Sequence, residues 1–89
     1  MREVDLQRKY YISKPDLARR LGLTPPKALA LRRHLVIDED EDCVHTFDFD
    51  SQKHYRYSDN ALRRMQEALA TVDMDAVWEA NRPRRGDAD

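Results

Sequence analysis

The chain holds a single cysteine, Cys43, so an internal disulfide is excluded and a reducing, cytosolic setting is expected. No apolar run approaches the roughly 18 residues of a membrane span. No basic stretch followed by an apolar one opens the sequence, so no secretory signal is expected. Glycine occurs twice, at Gly22 and Gly86, too few for a glycine-rich phosphate loop. A nucleophile elbow and an oriented acid pair are also missing, so the sequence predicts no enzyme and no cofactor. Cys43, His45 and His54 come nearest to a metal set, but His54 falls on the other strand parity and a fourth ligand is wanting; no metal is expected. The run Asp38-Glu39-Asp40-Glu41-Asp42 lacks calcium-loop spacing and reads as a solvated loop.

What is present in quantity is charge. The net charge is −1, but 37% of the residues are charged, and the signs are segregated. Residues 1–35 carry nine basic against three acidic side chains, a net of +6. Residues 36–59 carry two against eight, a net of −6. A basic third is the electrostatic footprint of a nucleic-acid binder. An acidic third on the same surface would cancel it.

Eighty-nine residues are expected to form one domain over residues 1–80, followed by a polar, disordered tail at 81–89. Start and stop signals divide that domain. Residues 1–9 read as a short helix or an arm, and "YYI" at 10–12 has strand character. Ser13 caps a helix over 14–21, with Pro15 in its first turn, Asp16 against its dipole and Gly22 ending it. Thr24 caps a second helix over 25–35. Pro25 and Pro26 lie at N1 and N2, where no intrahelical N–H is lost. Residues 43–49 and 53–57 read as a hairpin around a three-residue loop, Asp50-Ser51-Gln52. That loop pairs Phe47 with Tyr55 and His45 with Tyr57. Ser58 caps a helix over 59–71, with Leu62, Met65, Leu69 and Val72 as its apolar stripe. Asp73 caps a last one over 74–80.

Helix, glycine turn, helix, hairpin and helix give an α+β fold, a small winged helix-turn-helix. Counting Lys14 as the first of twenty positions, Leu17, Ala18, Leu21, Gly22, Leu23, Ala28 and Leu31 fall where such a motif needs apolar or small residues. The stretches "ISKPDLARRLGLTPPKALALRR" and "HYRYSDNALRRMQEAL" resemble the DNA-binding domain of the MerR-type regulators, in which a wing's return strand ends in an Arg-x-Tyr-like junction before a helix. The resemblance covers roughly residues 10–70. It implies a helix-turn-helix followed by a wing, and binding to duplex DNA. The arginine and tyrosines with which that family grips phosphate are replaced here by Ala28, Leu29, Ala30 and Leu31. The family's long dimerising helix has no counterpart in these residues, so promoter switching of the MerR type does not follow.

At 100° per residue, Ala28, Leu31 and Leu35 face inward and Pro26, Leu29, Ala30 and Arg33 face outward. The reading expects Arg33 to grip a base and Arg20, Thr24, Lys27, Arg32 and Lys53 to hold phosphates, with Arg56 also on the wing. Leu29 and Trp78 are expected as interface residues. Two functions are carried forward. One is a small bacterial or phage DNA-binding protein, a transcriptional regulator or accessory factor, with duplex DNA as partner and a homodimer in view. The other is a protein-interaction module on the same scaffold that does not bind DNA.

Overall fold

The fold is described from a computed structural model, which covers residues 3–82. Helix α1 (Glu3–Lys9) runs directly into strand β1 (Tyr10–Ile12). Helices α2 (Lys14–Leu21) and α3 (Pro25–Leu35) follow, joined by a three-residue turn. A one-turn 3-10 helix (Ile37–Glu39) leads to strands β2 (Val44–Phe49) and β3 (Gln52–Ser58), and helices α4 (Asp59–Leu69) and α5 (Met74–Asn81) complete the order. The fold is thus α+β: five α-helices and an antiparallel sheet of order β1-β3-β2 among the described residues. The expected tail overlaps this fold at Asn81, the last residue of α5; residues 83–89 lie outside the described residues.

Capping chemistry sets the helix ends where the sequence places them. Ser13 Oγ accepts from the Asp16 backbone N–H and Thr24 Oγ1 from that of Lys27. Gly22 takes φ 70°, the left-handed geometry that lets its own N–H return to the α2 carbonyls. Ser58 departs from expectation. Its side chain makes no cap; it is buried and its hydroxyl donates to the Asp42 carbonyl 2.5 Å away, tying β3 to the acidic segment.

The hairpin also differs from the expected register. Phe47 pairs with His54, His45 with Arg56 and Phe49 with Gln52, so the turn is two residues long. Asp50 and Ser51 both take positive φ, 50° and 63°, the twist that two-residue hairpin turns require. A one-residue slip moves a whole strand to the other face. The rings of Tyr55 and Tyr57 therefore lie on the helix side, whereas His45, Phe47 and Phe49 form a row on the far side.

The core lies between the sheet and the helices. Ile12, Leu17, Ala30, Leu31, Ile37, Cys43, Tyr57, Ala61, Met65 and Val77 form one buried cluster. Leu62, Leu69, Val72 and Trp78 pack partly buried against it. The α4 stripe and the tryptophan are thus spent largely on the chain's own core.

Candidate nucleic-acid interface

Helix α3 carries most of the expected contact residues, and its exposure is confined to its two ends. Pro25, Pro26 and Lys27 are exposed at the amino end, and Arg33 and His34 at the other. Between them Ala28 to Arg32 are all buried. Five successive helical positions sweep more than a full turn, so the middle of α3 is enclosed on every side.

This corrects the outward stripe read from the sequence. Leu29 is 6% exposed and Ala30 is wholly buried. Ala30 joins Leu31 in the buried cluster instead of facing away from it, and Leu29 is covered as well. Helix α5 is the element packed most extensively along α3. Its Val77 joins the cluster that holds Ala30 and Leu31. The seam is marked by a groove of ≈ 380 Å³ lined by His34, Val72, Asp73, Ala76, Val77 and Ala80. Arg33 Nη1 donates across it to the Asn81 carbonyl, 3.4 Å away. Leu29 is therefore covered by the chain itself and offers little to a partner.

Arg32 is the second correction. It is 2% exposed, so it is unavailable to phosphate. Its Nη1 donates to Asp38 Oδ2 at 3.2 Å and to the Tyr57 hydroxyl, which in turn donates to Asp38 Oδ1 at 2.8 Å. Burial pushes the Tyr57 hydroxyl well above the usual tyrosine range, with the Arg32 guanidinium opposing the shift and the Asp38 carboxylate adding to it. The network locks the carboxyl end of α3 to β3 and to the 3-10 turn. Charge-assisted bonds let the buried guanidinium survive there.

The amino end of α3 is chemically unusual. Pro25 and Pro26 have no N–H, and the next two N–H groups go to Thr24, from Lys27 to its hydroxyl and from Ala28 to its carbonyl. The orphan donors that usually make a helix start an anion site are thus absent or used. Any grip on phosphate at this end must come from side chains. Thr24 and Lys27 supply two. Next to them in the chain, α2 supplies Arg19 and Arg20, which share Asp16. Arg20 Nε lies 3.0 Å from Asp16 Oδ2, and its guanidinium stands 5.6 Å from the Tyr11 ring centre. Bonding to Arg19 holds the Asp16 carboxyl below the usual carboxylate range, so it stays charged.

The wing residues divide. Lys53 is exposed and sits across the strand pair from Asp48, on the Tyr55 side of the sheet. Lys14, at the start of α2, stands 4.5 Å from the Tyr55 ring centre on that side. Sequence reasoning passed over Lys14; its place at the first helical residue carries no signal for a cross-sheet contact. Arg56 has the opposite parity and lies on the far face, away from Lys53. Four of the acids are grouped in space, while Asp48 faces Lys53 on the wing and Asp59 accepts from the Tyr11 hydroxyl. Glu39, Asp40, Glu41 and Asp42 line a trough of ≈ 530 Å³ with Leu35, Val36 and Arg64. It opens at the carboxyl end of α3, about 16 Å along the helix axis from its start.

Fold and surface together define a small α+β domain with a basic α2–α3 end and an acidic opposite end. A family model described as a domain of unknown function, DUF8610, matches residues 9–83, and the chain belongs to that family. No curated protein and no solved structure matches it. Among the described residues, no helix is long and apolar enough to cross a membrane.

Proposed function

We propose that the chain is a small winged helix-turn-helix protein that binds duplex DNA mainly through backbone phosphates, led by the amino end of α3. The order α1-β1-α2-α3-β2-β3 with a β1-β3-β2 sheet supports the scaffold. The observation that carries the DNA reading is the charge layout. Arg19, Arg20, Thr24 and Lys27 share the α2–α3 surface with Asp16 as its one acid, a full helix length from the acidic trough. Helix-turn-helix proteins touch base edges with the first residues of the second helix, and those are the residues α3 leaves exposed. With prolines at two of them, base reading is weak and phosphate contact dominates. A role as an accessory factor or regulator in a bacterium or phage is consistent with such binding, and a homodimer would supply a second half-site.

A second reading has its own support. The proline-blocked N–H groups at the start of α3 suit a scaffold that kept the winged shape and binds a protein instead. Titration of labelled random-sequence duplex DNA at two salt concentrations separates the two. The DNA reading expects micromolar or weaker binding, with log affinity falling against log salt at a slope of roughly −2 to −3 for two or three phosphate contacts. Absence of binding at 20 mM salt overturns it in favour of the protein partner.

A further inference from the structure

The far face of the sheet holds a second feature, which adjoins the α2–α3 surface at Tyr11, the ring against which Arg20 stands. Arg56 stands in the middle of the central strand β3, opposite His45. Tyr10 stacks on His45 at 5.4 Å between ring centres, and the row continues through Phe47 at 4.7 Å and Phe49 at a further 6.1 Å. A hollow of ≈ 280 Å³ opens here, lined by Gln7, Tyr10, Tyr11, Phe47, Phe49 and Arg56. Phe49 is 45% exposed, so one ring of the row is uncovered at the rim.

The polar groups of this hollow are few. The Tyr10 hydroxyl donates to the Glu41 carbonyl at 2.5 Å and the Tyr11 hydroxyl to the Asp59 carboxylate. Both tyrosines therefore offer rings, their hydroxyls being engaged elsewhere. The half-buried Arg56 guanidinium makes one hydrogen bond among the described residues, from Nη1 to the Tyr55 carbonyl at 2.8 Å. Among the described residues, no carboxylate lines the hollow. Four other arginines have an acid partner: Arg19 and Arg20 have Asp16, Arg32 has Asp38, and Arg64 has Asp40, whereas the exposed Arg63 bonds the Asn60 side-chain oxygen. Among the described residues, Arg56 is a cation that lines the hollow beside aromatic rings and has no carboxylate within salt-bridge reach.

We propose that this hollow binds a small carboxylic acid with a flat aromatic body. The carboxylate lies against the planar guanidinium of Arg56, which matches its two oxygens. The ring lies against Phe49 and the tyrosine rings. Arg56 is the one cation among the described lining residues, with Lys9 and Arg20 standing behind the Tyr10 and Tyr11 rings, and Gln7 adds a neutral amide; a single planar guanidinium in the lining favours a carboxylate over a phosphate dianion. The volume is at the small end of ligand sites and suits a one- or two-ring acid.

The test is a titration of the full chain with benzoate and with 1-naphthoate, each against its uncharged amide, read by NMR and calorimetry. Saturable shifts at Arg56, Phe49 and Tyr11 are expected with the acids, and binding at least about tenfold weaker with the amides. Arg56→Gln is expected to lose at least about tenfold, and Phe49→Ala several-fold, with unchanged melting temperatures. Acid and amide binding alike, acid binding insensitive to Arg56→Gln, or inorganic phosphate binding as well as the naphthoate overturns the proposal. So does the absence of saturable shifts at millimolar acid. If a variant fails to fold, the acid–amide contrast on the unaltered chain decides.

Discussion

At its amino end α3 is held by its own residues; at its carboxyl end it is held by the rest of the molecule. Thr24 and two prolines start the helix using nothing beyond residue 28. Arg32, Arg33 and Leu35 finish it through bonds to Asp38, Tyr57, Asn81 and Arg64, groups as far as 48 residues away. The amino end is left open and available for contact. The carboxyl end is bonded to distant parts of the chain and adjoins the acidic trough. A helix anchored at one end and exposed at the other suits end-on contact better than lying lengthwise in a groove.

The largest break in that contrast should come from Asp38→Ala. It removes a carboxylate from a guanidinium that is 2% exposed, and breaking a buried pair is costly. Because the Asp38 side chain is itself 40% exposed, the low end of the range applies, about 3 kcal/mol. Urea melts should show it as a lower midpoint with an unchanged slope. The same network sets the alkaline limit. The folded chain keeps the Tyr57 proton to higher pH than the unfolded one, whose tyrosines titrate near 10.0. The stabilisation is whole below that value and is lost as pH rises past it. Cys43, raised by burial from 9.0, adds loss of the same sign from a lower pH. Melting temperature should fall between pH 9 and 11, and Tyr57→Phe should make the decline shallower.

The next effects are smaller and opposite in sign, and they compare how α2 and α3 stop. Gly22 ends α2 at φ 70°, and a Cβ there would meet no atom within 4 Å. Gly22→Ala should therefore cost only the backbone term, about 1–2 kcal/mol. Val36 ends α3 at φ 57°, a conformation that β-branched residues rarely adopt. Its side chain is exposed, so Val36→Gly should relieve that strain and stabilise by about 1 kcal/mol. Thermal melts of the two variants should move apart. If both fall, the Val36 side chain is holding something that its exposure conceals.

These ends explain what was legible in the sequence. The bounds of α2 and α3 were readable because Ser13, Gly22, Thr24 and the prolines act within four residues of themselves. The hairpin was readable as a hairpin, but its register was not. Asp50 and Ser51 adopt positive φ without glycine, and a two-residue turn had no written signal. The burial of Leu29, Ala30 and Arg32 depends on α5 and on Asp38 and Tyr57, which reach them only in three dimensions. Of the expected contact residues, Arg20, Thr24, Lys27, Arg33 and Lys53 are exposed, and Arg32 is not, because Asp38 and Tyr57 hold it in the last turn of α3. The hollow around Arg56 is not legible in the sequence because it combines strand parity in β2 and β3 with the irregular pairing of β1, which brings Tyr10 and Tyr11 to it.

The smallest expected effect is also the one that sharpens the contrast between the two ends of α3 most directly. Lys27 and Arg33 are both exposed cations on this helix, separated by the enclosed stretch. If contact with DNA is end-on, Lys27→Gln removes one phosphate contact. Affinity should drop several-fold at low salt, and the salt slope should become shallower by about 0.9. Arg33→Gln removes a cation already bonded to the Asn81 carbonyl and close to the acidic turn, so its slope should match that of the unaltered chain. Equal losses from the two substitutions would mean that the helix lies along the duplex. In that case α5 has to leave Ala30, and DNA binding should then expose the Val77 and Trp78 amides to faster hydrogen exchange.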